Sequence, residues 1–275
     1  METDINKTSL DTLCAGLCYA MGVTPPEHAA PANQDLCDYV DKALNGKKAD
    51  RIFMYNPDAI GQWISEKYAL LMREATAHTD LAIPFCTVMP SVTPVCFGTM
   101  YTGAQPAVHG IRKYEKPVIT IDTLFDAMIR AGKKCVIVGD TSCSMIHIFK
   151  EREMDYFAYE TIEEINAKAA EIIMKDEYDF VAIYNGNYDS RMHRVGPEGL
   201  DALGSLRMNS AAFAMFDTMI QNHWTGHNTL VGFAMDHGCH AIDGDNAKQY
   251  YGSHGLDMPE DLNIVHLYKA HPAAE

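Results

Sequence analysis

The sequence predicts an α/β fold in which a doubly wound, mostly parallel sheet carries helices on both faces. Two observations predict it. Short runs rich in β-branched and aromatic residues recur along the chain, and helical stretches separate them, which is the pattern of a parallel sheet covered on both sides. The sequence contains neither internal repeats nor a linker, so residues 1–275 are predicted to form a single domain.

The first 50 residues are predicted to form a helical N-terminal extension. One helix is predicted over 8–21 and is followed by Gly22, a residue that commonly ends helices. A second helix is predicted over 34–46, which ends on Asn45 and Gly46. This extension (1–50) could pack over one edge of the sheet or mediate self-association. In the second case the protein would be a homo-oligomer.

From residue 51 onward, predicted strands and helices alternate. Strands are predicted at 51–56, 81–89, 134–139, 178–184, 227–235 and 262–268. Helices are predicted at 61–77, 94–101, 122–132, 161–175 and 198–222.

Composition and charge exclude several classes of protein. The chain has 22 Lys and Arg against 37 Asp and Glu, a net charge of −15, so a nucleic-acid-binding surface is not expected. Neither a basic signal-peptide start nor an apolar run of about 20 residues occurs, which argues against secretion and a membrane partner. The eight cysteines include no C-x-x-C pair and are typical of buried thiols in a reducing compartment, so a cytoplasmic location is expected.

Polar side chains of the metal-ligating type recur where predicted strands end. In a doubly wound sheet, binding sites lie beyond the carboxyl ends of the strands. Any one of these residues could instead be a helix cap or part of a turn. Their concentration at one sheet edge predicts a metal centre. They are Asp58, Thr93, Asp189, His193, Asp236 and His237, together with His254 before the last strand.

Four ordered motifs carry a resemblance to a known family. The run over 89–111, with Pro90-Ser91-Val92-Thr93 near its start and His109-Gly110-Ile111 at its end, resembles the nucleophile segment of the alkaline phosphatase superfamily, and most closely its nucleotide pyrophosphatase/phosphodiesterase branch. The other three are similar to later metal motifs of that branch. They are Tyr184…Asp189-x-x-x-His193-x-x-Gly196-Pro197, Asp236-His237-Gly238 and Gly252-Ser253-His254-Gly255. The resemblance spans residues 51 to about 268.

The resemblance implies two metal sites and a threonine nucleophile. One site would hold Asp189, His193 and His254. The other would hold Asp58, Thr93, Asp236 and His237. Aspartate and histidine donors suit zinc first, with manganese or iron as alternatives. In this interpretation Thr93 attacks phosphorus while two divalent ions stabilise the attacking and leaving oxygens.

The implied activity is that of a phosphodiesterase or nucleotide pyrophosphatase acting on a small phosphate ester, such as a nucleotide. A phosphomonoesterase or phosphomutase with the same centre, or a non-catalytic metal-binding protein, remains an alternative. Larger relatives insert a cap domain after the nucleophile segment; here little or no cap is expected, and residues 140–160 offer the only room for one.

Two departures from the family pattern bear on the substrate. The branch commonly carries an asparagine three residues after the nucleophile, where this chain has Cys96, so Asn185, Asn187 or a backbone N–H would have to replace that donor. Sulfatases use a cysteine nucleophile, and Thr93 therefore argues against sulfate esters.

Other polar residues near the motifs are less typical of a catalytic or binding role. His109 is interpreted as a structural histidine. Five cations could meet substrate phosphates, although each is more often a solvated surface residue. They are Arg112, Lys113, Arg191, Arg194 and Lys248.

Overall fold

The computed structural model describes residues 4–242 and 251–274. Its strands are β1 (Thr8–Ser9), β2 (Arg51–Pro57), β3 (Leu81–Cys86), β4 (Cys135–Asp140), β5 (Asp155–Tyr159), β6 (Phe180–Asn185), β7 (Thr229–Phe233), β8 (His240–Ala241), β9 (Gly252–Ser253) and β10 (Asn263–His271). Its helices are α1 (Thr12–Met21), α2 (Gln34–Ala43), α3 (Gln62–Lys67), α4 (Arg73–Ala77), α5 (Thr93–Thr102), α6 (Pro106–His109), α7 (Leu124–Arg130), α8 (Ser144–Phe149), α9 (Ile162–Lys175), α10 (Asn187–Val195), α11 (Leu200–His223) and α12 (Pro259–Leu262).

Within these ranges, eight of the strands form one sheet in the order β1-β3-β10-β7-β2-β6-β4-β5. Its neighbours pair in parallel except at β10, which runs antiparallel to both β3 and β7. The central strands β6 and β7 are buried at every residue, as expected of a sheet covered on both faces. The predicted doubly wound, mostly parallel α/β fold is confirmed.

Aromatic packing shows how the two faces of the sheet are covered. On one face, Phe53 and Tyr55 of β2 contact Phe216 of α11, with ring centroids 5.5 and 5.9 Å apart. On the other face, Phe180 of β6 packs edge-on against Tyr101 of α5 at 6.2 Å. The large buried area of these rings supplies much of the hydrophobic stabilisation of the sheet.

Several predicted elements differ from those observed. The stretch 140–160, considered as room for a cap, instead holds α8 and the edge strand β5, so it belongs to the core fold. The predicted helix over 61–77 is two helices, α3 and α4. The helix predicted over 8–21 begins only at Thr12, because Thr8 and Ser9 pair with β3 at the edge of the sheet.

His109 at the end of α6 has the structural role expected from the sequence. Its side chain is buried, with Nε2 3.1 Å from Thr99 Oγ1, while Nδ1 accepts a hydrogen bond from the backbone N–H of Ile111. Burial lowers the pKa of His109 to about 4. The ring packs directly on Gly98, where a Cβ would lie 2.8 Å from it.

This buried histidine predicts a loss of stability in mild acid. Between pH 6.5 and 4 the unfolded chain takes up a proton at His109 that the folded protein does not, so the free energy of unfolding falls as the pH falls through that window. At pH 5 the lowered pKa of His109 reduces the free energy of unfolding by about 2 kcal/mol. We expect urea unfolding to show that the free energy of unfolding falls between pH 7 and pH 5 by about 2 kcal/mol less in His109→Gln than in the wild type. The exposed control His28→Gln should behave as the wild type; an unchanged pH dependence in His109→Gln would contradict the assignment.

Candidate metal centre

All seven candidate ligands fall within the described ranges and meet at one edge of the sheet. Asp58 follows β2, Asp236 and His237 follow β7, and His254 follows β9. Asp189 and His193 lie on α10, which comes after β6, and Thr93 is the first residue of α5. The strand-end positions identified in the sequence are therefore neighbours in space.

The side chains form two groups that could each hold a metal ion. The inner group is Asp58, Asp236 and His237, all three fully buried; the outer group is Asp189, His193 and His254, which are partly buried. Within each group, one ligand atom from each residue lies within 4.8 Å of the others. The rings of His237 and His254 lie 4.1 Å apart between centroids, so the two groups adjoin.

Thr93 lies against the inner group. Its Oγ1 is 3.3 Å from Asp58 Oδ2 and 3.3 Å from His237 Nε2. His237 Nε2 is in turn 3.4 Å from Asp58 Oδ1 and 3.4 Å from Asp236 Oδ2. These four side chains therefore converge on one small volume at the start of α5.

The outer group is as closely spaced. Asp189 Oδ1 lies 3.2 Å from His193 Nε2 and 3.4 Å from His254 Nε2. The two histidine Nε2 atoms are 3.2 Å from each other. Two imidazole lone pairs at that distance repel each other unless a proton or a cation lies between them.

Each of the three histidines is held with its Nε2 toward the centre. Nδ1 of His237 lies 2.9 Å from the carbonyl of Gly238, and the Nδ1 atoms of His193 and His254 lie 2.9 and 3.1 Å from the carbonyls of Gly252 and Ser91. A carbonyl can only accept, so Nδ1 carries a proton, and in the neutral imidazole Nε2 presents a lone pair. Backbone support of this kind orients metal-ligating histidines and sets their tautomer.

Three buried carboxylate oxygens make no hydrogen bond in the described part of the chain. They are Asp58 Oδ1, Asp189 Oδ1 and Asp236 Oδ2, and each belongs to one of the two groups. Buried polar atoms are nearly always hydrogen-bonded, so unpaired ones mark a ligand or ion site. Both groups therefore fit divalent cations by their donors and by their orphaned oxygens.

Without cations, the inner group is electrostatically costly. Burial raises the pKa of Asp236 to about 8 and raises that of Asp58 strongly, with the neighbouring carboxylates adding to the shift of Asp58. Burial likewise lowers the pKa of His237, so a protonated imidazole does not compensate the two acids. A bound divalent ion would supply the missing positive charge.

In the outer group, the opposite charges of the partners outweigh burial. Burial disfavours the ionised form of Asp189, yet His193 and His254 hold its pKa below the usual range. Burial acts against protonation of His193 as well, but Asp189 raises its pKa to about 9. Metal binding in this group therefore displaces protons.

Local backbone contacts fix the inner group. Asp236 Oδ1 accepts hydrogen bonds from the backbone N–H groups of Ala59 (3.2 Å) and His237 (2.9 Å), so the ends of β2 and β7 are tied together. The backbone at Gly238 passes so close to Glu260 that a Cβ at this position would lie 2.0 Å from the carbonyl oxygen of Glu260. The Asp-His-Gly sequence is thus a steric requirement as well as a source of ligands.

Other residues considered in the sequence lie elsewhere. Cys96 is fully buried with its sulfur toward the carbonyl of Val88 (4.0 Å), so it offers no donor to a bound phosphate. Asn185 is occupied: its amide donates to the hydroxyl of Tyr55 at 2.7 Å. Lys248 lies outside the described residues. The other cations near the motifs each contact another residue of the protein. Arg112 donates to the carbonyl of Ala107, Lys113 pairs with Glu115, Arg191 donates to Ser205 and Arg194 pairs with Asp201.

One contact of the site is not predicted by the sequence reasoning. The hydroxyl of Tyr184, the penultimate residue of β6, donates a hydrogen bond to Asp58 Oδ2. The resemblance places Tyr184 at the start of the second metal motif, but its contact with Asp58 follows only from the pairing of β2 with β6, which sets Tyr184 opposite Asn56.

The chain is a doubly wound α/β protein with a strand-end site, and several solved structures share its fold. Among solved structures, murine ectonucleotide pyrophosphatase/phosphodiesterase 5 matches with a TM-score of 0.62 at 13% identity, over 82% of this chain and 88% of that chain. The human protein of the same name matches at 0.58 and 13%, over 81% and 88%. Phosphonoacetate hydrolase from Sinorhizobium meliloti 1021, in complex with phosphonoacetate, matches at 0.56 and 14%, over 74% and 60%.

At these identities the likeness shows the fold, and it confirms the fold implied by the sequence motifs. No family model matches the sequence, and no curated protein matches it. Among the described helices, none has the length and apolar character needed to cross a membrane.

The two groups predict two metal equivalents per chain. Asp189→Ala removes a ligand of the outer group and His237→Ala a ligand of the inner group, so each variant should bind one equivalent where the wild type binds two. Calorimetric titration with Zn²⁺ and elemental analysis after dialysis would measure this.

The matched controls are Asp35→Ala and His28→Ala, two exposed residues of the same types outside both groups. They should keep both equivalents. Wild-type protein that binds no divalent ion, or variants that keep both, would contradict the assignment of the two groups.

Proposed function

We propose that this protein is a metal-dependent phosphoesterase of the phosphodiesterase or nucleotide pyrophosphatase type, with Thr93 as its nucleophile. One observation carries the proposal: the Thr93 hydroxyl, at the start of a helix, lies 3.3 Å from both Asp58 and His237, beside two groups with unpaired carboxylate oxygens. A structural metal site has no use for a hydroxyl in that position.

The residues that would hold the ions are those of the inner and outer groups, with Thr93 on the inner one. Three aspartates and three histidines favour zinc, with manganese or iron(II) as alternatives. When bound, two divalent cations supply the positive charge that lowers the pKa of a coordinated hydroxyl and neutralises phosphate oxygens.

The chain itself positions the nucleophile. Thr93 Oγ1 attacks phosphorus while the bond from phosphorus to the leaving oxygen breaks, and the proton that the threonine gives up ends on the released alcohol. Water then attacks the phosphothreonine, which restores the Thr93 hydroxyl and releases the second product. The positive end of the α5 dipole lies at Thr93 and favours the negative charge that develops there.

The substrate is expected to be a small phosphate ester such as a nucleotide, with diesters preferred over monoesters. A monoester dianion carries one more negative charge than a diester. The arginines nearest the motifs are engaged elsewhere, Arg112 with the carbonyl of Ala107, Arg191 with Ser205 and Arg194 with Asp201, so we expect none of these three to offset that extra charge. A phosphomonoesterase or phosphomutase is the second candidate, since the same centre serves those reactions.

We place the enzyme in the cytoplasm, acting as one unit over residues 1–275. All eight cysteines are unpaired, and all but Cys86 are buried, which fits a reducing compartment. The pairing of β1 with β3 supports including residues 1–50 in this unit.

Substrate preference tests the proposal. With zinc or manganese bound, kcat/KM for bis-p-nitrophenyl phosphate and for thymidine 5′-p-nitrophenyl phosphate should exceed that for p-nitrophenyl phosphate by about tenfold, the value of roughly one ionic contact. The chelator-treated protein is the control and should hydrolyse none of them. A monoester preference would favour the second candidate, and the absence of hydrolysis with either metal would reject a phosphoesterase.

A further inference from the structure

A cleft with a cavity volume of about 360 Å³ opens beside the two groups. Asp189 of the outer group and Tyr184, which donates to Asp58, form its inner end. Tyr114, Asp140 and Asn187 also line it. A phosphate ester held at Thr93 would therefore extend its organic part toward these residues.

The cleft presents hydrogen-bonding groups that the protein itself leaves unused. Asp140 Oδ1 accepts from the backbone N–H and the hydroxyl of Ser142, at 2.9 and 2.7 Å, while in residues 4–242 and 251–274 nothing donates to its Oδ2. The backbone N–H of Asn187 is bonded to Asn185 Oδ1 at 3.0 Å, but the Asn187 side-chain amide makes no hydrogen bond in the same ranges. One acceptor and one amide thus remain for a ligand.

The charge of the cleft selects against an anionic organic group. Two carboxylates besides Asp189 line it, those of Asp140 and Glu160. Its one lysine, Lys116, is engaged, because Nζ donates to the carbonyl of Ser142 at 2.5 Å. Carboxylates and amides are good partners for neutral hydroxyl groups and poor neighbours for further phosphates.

The aromatic content of the cleft is also small. The ring of Tyr114 is 62% exposed, whereas Tyr184 is almost buried. A flat aromatic group would find one open ring face and a lining that is otherwise polar, so stacking contributes little.

We propose that this cleft binds the organic group of the substrate and that this group is a neutral polyhydroxyl one, a sugar or polyol, recognised by Asp140 and Asn187. This inference rests on the proposed phosphoesterase function. It names the substrate class as sugar or polyol phosphate esters, whose hydroxyls fill the unused acceptor and amide.

Binding of matched phosphate esters tests the inference without relying on turnover. Calorimetry on the zinc-loaded Thr93→Ala protein would compare the methyl diesters of glycerol 3-phosphate and ribose 5-phosphate with methyl phenyl phosphate, and inorganic phosphate would report on the metal groups alone. The sugar and polyol diesters should bind about tenfold more tightly than methyl phenyl phosphate, as expected for one or two added hydrogen bonds.

Variants in the cleft should remove that preference. Asp140→Asn and Asn187→Ala, each in the Thr93→Ala protein, are expected to reduce the ratio of the affinity for the polyol diester to that for methyl phenyl phosphate toward one, and the exposed control Asp35→Asn should keep it. Equal affinities in the parent protein, or a preference that survives both cleft variants, would overturn the inference. Those results leave the phosphoesterase proposal standing if wild-type enzyme still cleaves bis-p-nitrophenyl phosphate; absence of that cleavage is the separate failure of the function itself.

Discussion

The concentration of buried carboxylates at one edge of the sheet is the constraint on which the site depends. Asp58, Asp189 and Asp236 each carry an oxygen without a hydrogen bond in the described residues. Burying an uncompensated carboxylate costs several kcal/mol, so three at one place are not tolerable as isolated anions. Protons or divalent cations must offset the charge, and three histidine Nε2 atoms directed at the same place favour cations.

The sheet holds this unfavourable arrangement in place. The parallel pairing of β2 with β6 and β7 brings three strand ends side by side. Asn56, fully buried two residues before Asp58, donates to the carbonyl of Ala234 at 2.9 Å and accepts from Tyr101 at 2.8 Å, which links β2 to the end of β7 and to α5. The same α5 begins with Thr93, so the nucleophile and the strand ends share one rigid support.

Much of the fold and of the candidate site could be predicted because the signals are local. The buried runs of β2, β6 and β7 are continuous and apolar, and the polar residue after each run marks its end. The edge strand β5 is not among the predicted strands, because its run of five residues is short and none of them is buried, unlike those of a central strand. Cys96 was linked to the substrate from its sequence distance to Thr93, yet at that spacing on α5 the side chain faces the core. The cleft of Tyr114, Asp140 and Asn187 joins three distant segments, which no local pattern reveals.

The central claim is that Thr93 performs the chemistry while the aspartates and histidines hold the ions. The most direct test measures zinc stoichiometry and turnover of a phosphodiester together in Thr93→Ala and Thr93→Ser. The alanine variant should keep two zinc equivalents and lose kcat by about a thousandfold or more, since six ligands remain but the nucleophile does not. The serine variant should retain measurable turnover, because its hydroxyl replaces that of threonine. Full activity in the alanine variant would contradict the account, because water would then attack phosphorus directly.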